Sequence, residues 1–76
     1  MTLDSLAKGA AARIAAIEAS PDLEAKLREI GFAEGDEVEM LGAGPFGGQP
    51  LAVRLNRRII ALRTSEARAL LLEKAP

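Results

Sequence analysis

The sequence contains no cysteine and no histidine, and its aromatic residues are limited to Phe32 and Phe46. Without cysteine there can be no disulfide, thiolate nucleophile or cysteine-ligated zinc, and this fits the reducing conditions of a cytoplasm. Without histidine the commonest general base is missing, so the serines have only carboxylates and lysines as catalytic partners. We therefore expect a protein that is not an enzyme and needs no cofactor.

Long hydrophobic runs are also missing. The first residues lack the basic start and continuous apolar core of a signal peptide. The longest uncharged run, residues 40–53, is too short and too rich in Gly and Pro to cross a bilayer. We expect a soluble cytoplasmic protein. Because 76 residues leave room for one domain at most, residues 1–76 are interpreted as a single folding unit.

Charge is distributed unevenly along the chain. Residues 1–40 carry nine acidic and four basic side chains, whereas residues 41–76 carry two acidic and six basic ones. The formal net charge of −1 therefore conceals −5 in the first part and +4 in the second. Such an asymmetry can steer a partner, although two solvated faces are the simpler interpretation.

One helix is specified at both ends. Ser20 can cap its free N–H groups, Pro21 suits the first helical position, and Gly31 permits the left-handed turn that ends a helix. The apolar residues of this segment are Leu23, Leu27 and Ile30. Their spacing places them on one face, so the helix must contact a core.

Three short segments alternate apolar and polar residues with the period of a strand. They cover residues 36–41, 51–55 and 58–63. In the first, Val38 and Met40 alternate with glutamates, which puts one face inside. Residues 34–35 can turn the chain into this segment, and Asn56 with Arg57 makes a tight connection between the other two. The pattern predicts a half-buried antiparallel sheet.

Residues 44–50 (GPFGGQP) combine three glycines with two prolines. They are not followed by the Lys, Ser or Thr and helix that a phosphate-binding loop requires. We interpret them as a wide hairpin loop in which the glycines supply unusual backbone angles, while Pro45 and Pro50 stiffen the arms. Phe46 then lies at or near the tip, either tucked against the protein or offered to a partner.

Two charged clusters accompany the strands. The acidic cluster is Glu34, Asp36, Glu37 and Glu39, and the basic cluster is Arg54, Arg57, Arg58 and Arg63. The carboxylates suit solvated turn and outward strand positions, although Glu34, Asp36 and Glu37 are weak candidates for ligands of a hard cation. Nucleic acid is not expected at the arginines, because the net charge is −1 and no aromatic residues are interleaved with them. An acidic protein or membrane surface would suit them equally well.

Two further segments are ambiguous. Residues 10–18 and 65–73 are rich in Ala, Leu, Glu and Arg, so propensity alone favours two more helices. Gly9 and the spacing of Ile14 and Ile17 leave room for a strand in the first segment, because tertiary context routinely overrides propensity.

Three motifs resemble the FeoA family when they are taken in order. They are residues 27–38 (LREIGFAEGDEV), 44–51 (GPFGGQPL) and 58–67 (RIIALRTSEA). The family carries a helix ending in a Leu-x-x-Leu-Gly-Phe-like segment, a Pro-Gly-like turn before Val, a Pro-x-Gly-Gly-Pro-like loop and a closing Ala-Leu-Arg-x-x-Glu-Ala. The matching structural positions are Leu27, Gly31, Gly35, Gly48, Pro50, Leu62, Glu66 and Ala67. Ala33 and Gln49 depart from the pattern.

The resemblance implies a fold that is mainly β with one α-helix, namely a small SH3-like β-barrel. It assigns the first ambiguous segment to a strand at about residues 10–19. It divides the second into a helical turn at residues 64–67 and a final strand at about residues 69–73. A barrel also needs its ends paired, which two extra helices would not provide.

The resemblance also implies a function. It indicates a cytoplasmic accessory of bacterial ferrous iron uptake, held at the inner membrane by the transporter FeoB, which has a cytoplasmic GTPase domain. The candidate contact residues are Pro45, Phe46, Gly47, Arg54, Arg57 and Arg58. A small barrel that binds nucleic acid or a transition metal is the alternative, and weak self-association through an unpaired barrel edge is conceivable.

Overall fold

The computed structural model describes residues 1–73, which contain five strands, one α-helix of ten residues and two short helical turns. The elements follow one another as a 3₁₀ turn (Leu3–Ser5), β1 (Ala11–Ile17), α1 (Pro21–Ile30), β2 (Glu37–Gly44), β3 (Gly48–Leu55), β4 (Arg58–Leu62), α2 (Thr64–Ala67) and β5 (Leu70–Leu72). The predicted fold class, mainly β with one α-helix, is confirmed.

The strands form an antiparallel sheet in the order β4-β3-β2-β1-β5. β1 uses residues 11–13 to pair with β2 and residues 14–17 to pair with β5, with a register shift between Ile14 and Ala16. A shift of this kind bends a strand and lets it serve two parts of a curved sheet. β1 therefore turns the sheet toward the closed shape of a small barrel.

Both ambiguous segments take the structure that the family resemblance implies. β1 and β5 are strands, and α2 is a single helical turn between β4 and β5. In β1 the amide of Ile14 donates to Asp36 O at 2.8 Å, and its carbonyl accepts from Gly35 N at 2.8 Å. Ile14 itself is buried. Pairing with neighbouring strands and burial of this side chain outweigh the helix propensity of the alanines.

The α1 boundaries follow the sequence signals. Ser20 Oγ accepts from the amide of Leu23 at 3.3 Å, and Pro21 is the first helical residue. At the other end Gly31 takes φ of 125°, and the amide of Phe32 donates to Leu27 O at 3.1 Å. A β-carbon at Gly31 would collide with the guanidinium of Arg58. Glycine is thus favoured here for its backbone angle, whereas the Arg58 side chain could move aside.

The prediction of a wide loop at residues 44–50 is wrong, because β2 continues to Gly44 and β3 begins at Gly48. The pairs Ala43–Leu51 and Gly44–Gly48 are separated by a register shift. Gln49 and Pro50 lie in this bulge, where a proline without an N–H interrupts no regular ladder. The Gln49–Pro50 peptide bond is cis.

The core is formed mainly by side chains of the strands. Its buried apolar residues are Leu3, Ile14, Leu27, Phe32, Val38, Met40, Leu51, Val53, Leu55, Leu62, Ala67, Ala69, Leu70 and Leu72. Every strand contributes to this set, and the 3₁₀ turn and α1 each contribute one leucine. Within residues 1–73, no helix is long and apolar enough to cross a membrane.

Candidate functional site

The β2–β3 hairpin ends in a tight turn. The amide of Phe46 donates to Gln49 O at 3.3 Å, and the amide of Gln49 donates to Phe46 O at 3.2 Å. Between them Gly47 and Gly48 take φ of 66° and 84°. Positive φ at both central residues defines a type I′ turn, whose twist matches that of the flanking strands. Pro45, Phe46 and Gly47 are therefore held at the tip by backbone hydrogen bonds.

The side chain of Phe46 points away from the core and is 80% exposed. The alternative in which it tucks against the protein is not what the structure adopts. A large apolar side chain gains free energy when it leaves water, at roughly 25 cal/mol per Å² of buried surface. A partner that covers Phe46 would therefore gain affinity without first dismantling the core of this chain.

The arginines surround the β3–β4 turn. Arg54 Nη1 donates to Glu39 Oε1 of β2 at 3.1 Å, and a guanidinium N–H of Arg58 donates to Ile30 O at the end of α1. Asn56 takes the positive φ of the turn, 56°. Within residues 1–73, the guanidinium of Arg57 makes neither a hydrogen bond nor an ion pair with protein. Arg57 is thus the member of this group most available to another molecule.

The hairpin tip and the arginines do not form one patch. Phe46 lies two residues before β3, whereas Arg54, Arg57 and Arg58 lie near or just beyond its far end. β3 has eight residues, so the two groups are separated by about 23 Å along the strand. The sequence places these residues in order along the chain but does not indicate this distance.

Two of the four carboxylates in the acidic cluster, those of Glu34 and Glu39, pair with arginine. Arg28 Nη1 and Nη2 donate to the two carboxylate oxygens of Glu34, both at 3.0 Å. These hydrogen bonds lower the pKa of Glu34 to about 2 and raise the pKa of Arg28. Arg54 likewise forms an ion pair with Glu39. No group of three His, Cys, Asp or Glu side chains suited to a metal ion occurs within residues 1–73. The weak metal candidates Glu34, Asp36 and Glu37 stay a prediction.

Glu66 is the motif residue with the most specific contacts. Although only 8% exposed, its carboxylate accepts from Lys26 Nζ at 2.5 Å and from the amide of Arg63 at 2.8 Å. These hydrogen bonds, with that from Lys26 the stronger, lower the pKa of Glu66. The carboxylate therefore joins α1 to the start of α2. The family motif identifies Glu66 in the sequence. No sequence pattern indicates that Glu66 pairs with Lys26, which is 40 residues away.

The other motif positions divide into three structural kinds. Those in the core are Leu27, Leu62 and Ala67. Those with positive φ are Gly31, Gly35 and Gly48. Pro50 lies in the hairpin bulge and is exposed. These positions therefore have visible roles in packing or backbone geometry.

A shallow cleft lies between the ends of β2 and β3. It is lined by Glu37, Val38, Glu39, Arg54 and Asn56 and has a volume of about 120 Å³. Small-molecule sites typically have volumes of about 300 Å³ or more. The volume of this cleft is below that range.

The fold and surface define a class of protein, a small SH3-like β domain with an exposed hairpin tip. The family model described as the FeoA domain matches residues 1–74. The chain belongs to the FeoA family. A search among curated proteins gives no match.

Two solved structures are each 37% identical in sequence to this chain over the aligned part. One is FeoA of Stenotrophomonas maltophilia in complex with zinc, described as a prokaryotic SH3 domain protein; the TM-score is 0.84, with 96% of this chain and 89% of that one covered. The other is iron(II) transport protein A of Clostridium thermocellum, with a TM-score of 0.88 and coverage of 96% and 44%. The chain thus spans less than half of the second protein.

A more distant likeness concerns the fold alone. A manganese-dependent transcriptional repressor complexed with manganese has a TM-score of 0.85 at 20% identity. The match covers 96% of this chain but 35% of the repressor. The same small β domain thus occurs as one part of a larger protein, and its fold by itself does not specify function.

Proposed function

We propose that this protein is a non-catalytic, cytoplasmic accessory of bacterial ferrous iron uptake. It acts by contact with the cytoplasmic part of a FeoB-type transporter and reaches the inner membrane through that partner. Membership of the FeoA family supports the assignment to ferrous iron uptake. The S. maltophilia relative, described as a candidate activating factor for ferrous iron transport, supports the accessory role.

The observation that carries this proposal is the exposed aromatic side chain at the hairpin tip. Phe46 is 80% exposed on a turn whose geometry is fixed by two backbone hydrogen bonds. An aromatic residue on a rigid support loses little conformational freedom on binding, and such residues often supply much of an interface's affinity. Pro45 and Gly47 position Phe46 and belong to the same contact.

The arginines provide a second contact with the same partner. Arg54, Arg57 and Arg58 lie toward the opposite end of β3 from the tip, so a partner that contacts both groups must extend along this strand. A folded GTPase domain meets this requirement, whereas a short peptide at the tip does not reach the arginines. Charge at this end favours fast and oriented association more than it adds affinity.

The test is titration of the purified protein against the soluble cytoplasmic GTPase domain of the transporter from the same organism. Calorimetry is performed with GDP, with a GTP analogue and without nucleotide. We expect saturable binding that Phe46→Ala weakens by about tenfold or more, as for a central aromatic anchor. Arg57→Glu should slow association, and its effect should diminish as salt is raised.

Lys8→Glu is the matched control, because it makes the same charge change at an exposed residue outside the arginine group. It should bind as the unmodified protein does. Circular dichroism and thermal unfolding establish that each variant is folded. Absence of binding in every nucleotide state, or equal binding by the Phe46→Ala variant and the unmodified protein, would contradict the proposal.

A further inference from the structure

The two outer strands of the sheet differ in how their free edges are covered. β5 pairs with β1 on one side, and on the other the amide of Leu72 donates to Met1 O at 2.8 Å, next to a bridge between Thr2 and Leu71. Among the strands that the structure describes, β4 pairs only with β3. Within residues 1–73, no backbone group of β4 bonds to any segment other than β3. The outer edge of β4 is thus unpaired.

The geometry of the β3–β4 hairpin identifies the backbone groups on that edge. Leu55 pairs with Arg58 across a two-residue turn. Because such a turn is closed by a hydrogen-bonded pair and bonding alternates along the strand, Arg58, Ile60 and Leu62 bond to β3. The N–H and C=O groups of Ile59 and Ala61 therefore face away from the sheet. These groups are the donors and acceptors that an added strand requires.

The side chains beside this edge are apolar and exposed. Ile59 is 67% exposed, and Ala61 is exposed on the same face. Ile59 lies opposite Arg54 on the neighbouring strand β3. Arg54 forms an ion pair with Glu39 of β2, so the charge next to Ile59 is already paired. An incoming strand would gain apolar contact with Ile59 as well as backbone hydrogen bonds.

Charge at the two ends of β4 selects among possible strands. Arg57 and Arg58 precede its apolar residues, and Arg63 follows them. In the antiparallel register that pairs all of β4 with a second copy, Arg57 of each copy lies opposite Arg63 of the other. Like charges directly opposite one another are destabilising. The arginines therefore disfavour a second copy and favour a strand with acidic ends.

We propose that the outer edge of β4 binds an extended segment of a partner protein as a sixth strand. The segment has apolar or small residues in its middle, which contact Ile59, and Asp or Glu at both ends, which contact Arg57 and Arg63. This inference rests on the proposed function in that both treat the chain as a protein-binding module. The inference adds to the proposed function the residue types of one partner segment, the one that binds β4.

A synthetic peptide tests this directly. The probe has eight residues, with Val, Ile and Thr in the middle and Glu at both ends, and the control peptide has Lys in place of Glu. Nuclear magnetic resonance of the labelled protein should show saturable shifts confined to residues 57–63 with the acidic probe only. Hydrogen exchange of the Ile59 and Ala61 amides should slow when the probe is bound.

Two kinds of variant test whether the probe binds at the outer edge of β4 rather than at another surface. Ala61→Pro removes one outward N–H without breaking a bond to β3, and it should weaken probe binding about fivefold. Ala61→Val keeps that N–H and should leave binding unchanged. Reversal of both Arg57 and Arg63 to Glu should abolish binding of the acidic probe and create binding of the lysine-ended peptide. This charge exchange tests the proposal even if Ala61→Pro does not fold.

Each result supports or contradicts the proposal. Shifts that map to the hairpin tip, or equal binding by the Ala61→Pro and Ala61→Val variants, would overturn it. Concentration-dependent changes at residues 57–63 without peptide would show that a second copy covers the edge instead. The proposed function is separate: if Phe46→Ala abolishes binding of the GTPase domain but not of the probe, the two contacts are distinct. If the domain never binds while the probe does, only the partner assignment fails.

Discussion

At the scale of single residues, Glu66 is the side chain on which the junction between α1 and α2 depends. The hydrogen bond from Lys26 and that from the amide of Arg63 both favour its ionised form, so its pKa is lowered from 4.5 in the folded protein. A depressed pKa means that the stabilisation is complete above the unfolded value and is lost as pH falls below it. The relevant range therefore begins near pH 4.5 and extends downward.

We expect Glu66→Gln to lower the free energy of unfolding by about 1 kcal/mol at pH 7, because an amide still accepts from Arg63 but no longer attracts Lys26. The difference from the unmodified protein should shrink as pH falls below about 4.5, since the native carboxyl then also becomes neutral. Urea unfolding between pH 3 and pH 7 measures this. Glu29→Gln, which replaces an exposed carboxylate of α1, is the control. A constant difference across this range would contradict the assignment.

Residue roles could be predicted from the sequence only where the cause is local. Ser20 and Gly31 were identifiable because capping depends on neighbours within four residues. The exposure of Phe46 and the pairing of Lys26 with Glu66 depend on distant segments, and the sequence left the first undecided and did not indicate the second. The sequence likewise predicted a strand at Ile59 but did not indicate that this side chain is exposed.

At the scale of elements, the β2–β3 hairpin depends on the two glycines of its turn. Gly47 and Gly48 both take positive φ. We expect Gly48→Val to lower the free energy of unfolding by about 1–2 kcal/mol, because a β-branched residue is strained in this region. Gly47→Asn should cost less than about 0.5 kcal/mol, because asparagine tolerates this conformation at the same turn. Chemical denaturation measures both. Equal losses would mean that the strain does not arise from backbone conformation.

The elements that could be predicted are those with two specified ends. α1 matches its prediction because caps and apolar stripe agree, and the β3–β4 turn at Asn56 was recognisable from its chemistry. The hairpin was predicted too wide, because composition identifies a turn but not the bulge around Gln49 and Pro50 that lets pairing continue. β1 and β5 were assigned only through the family resemblance, since their own residues favour a helix.

At the scale of the whole molecule, folding brings the acidic and basic parts of the chain together. Of the six ion pairs within residues 1–73, four join residues 1–40 to residues 41–73. They are Arg13–Glu73, Lys26–Glu66, Arg54–Glu39 and Arg68–Asp4. Two of them, Arg54–Glu39 and Arg68–Asp4, pair the majority charges of the two parts, whereas the other two pair the minority charges, so the charge asymmetry persists in the folded protein. Within residues 1–73, the guanidinium of Arg57 beside β4 makes no ion pair. The unpaired positive charge therefore lies at a more defined place than the totals for the two parts of the sequence suggest.

The first residues connect this charge pattern to the protected edge of the sheet. Leu3 is fully buried, between the Met1–Thr2 segment that covers β5 and Asp4, which pairs with Arg68. Leu3→Ala should lower the free energy of unfolding by roughly 3 kcal/mol, because it removes a buried side chain and loosens the segment beside it. Ile59→Ala, at an exposed residue of similar size, should cost less than about 0.5 kcal/mol. Hydrogen exchange in the Leu3→Ala variant should accelerate most at Leu72, whose amide donates to Met1, and if it accelerates equally at residues 58–62 the segment is not a local cover of β5.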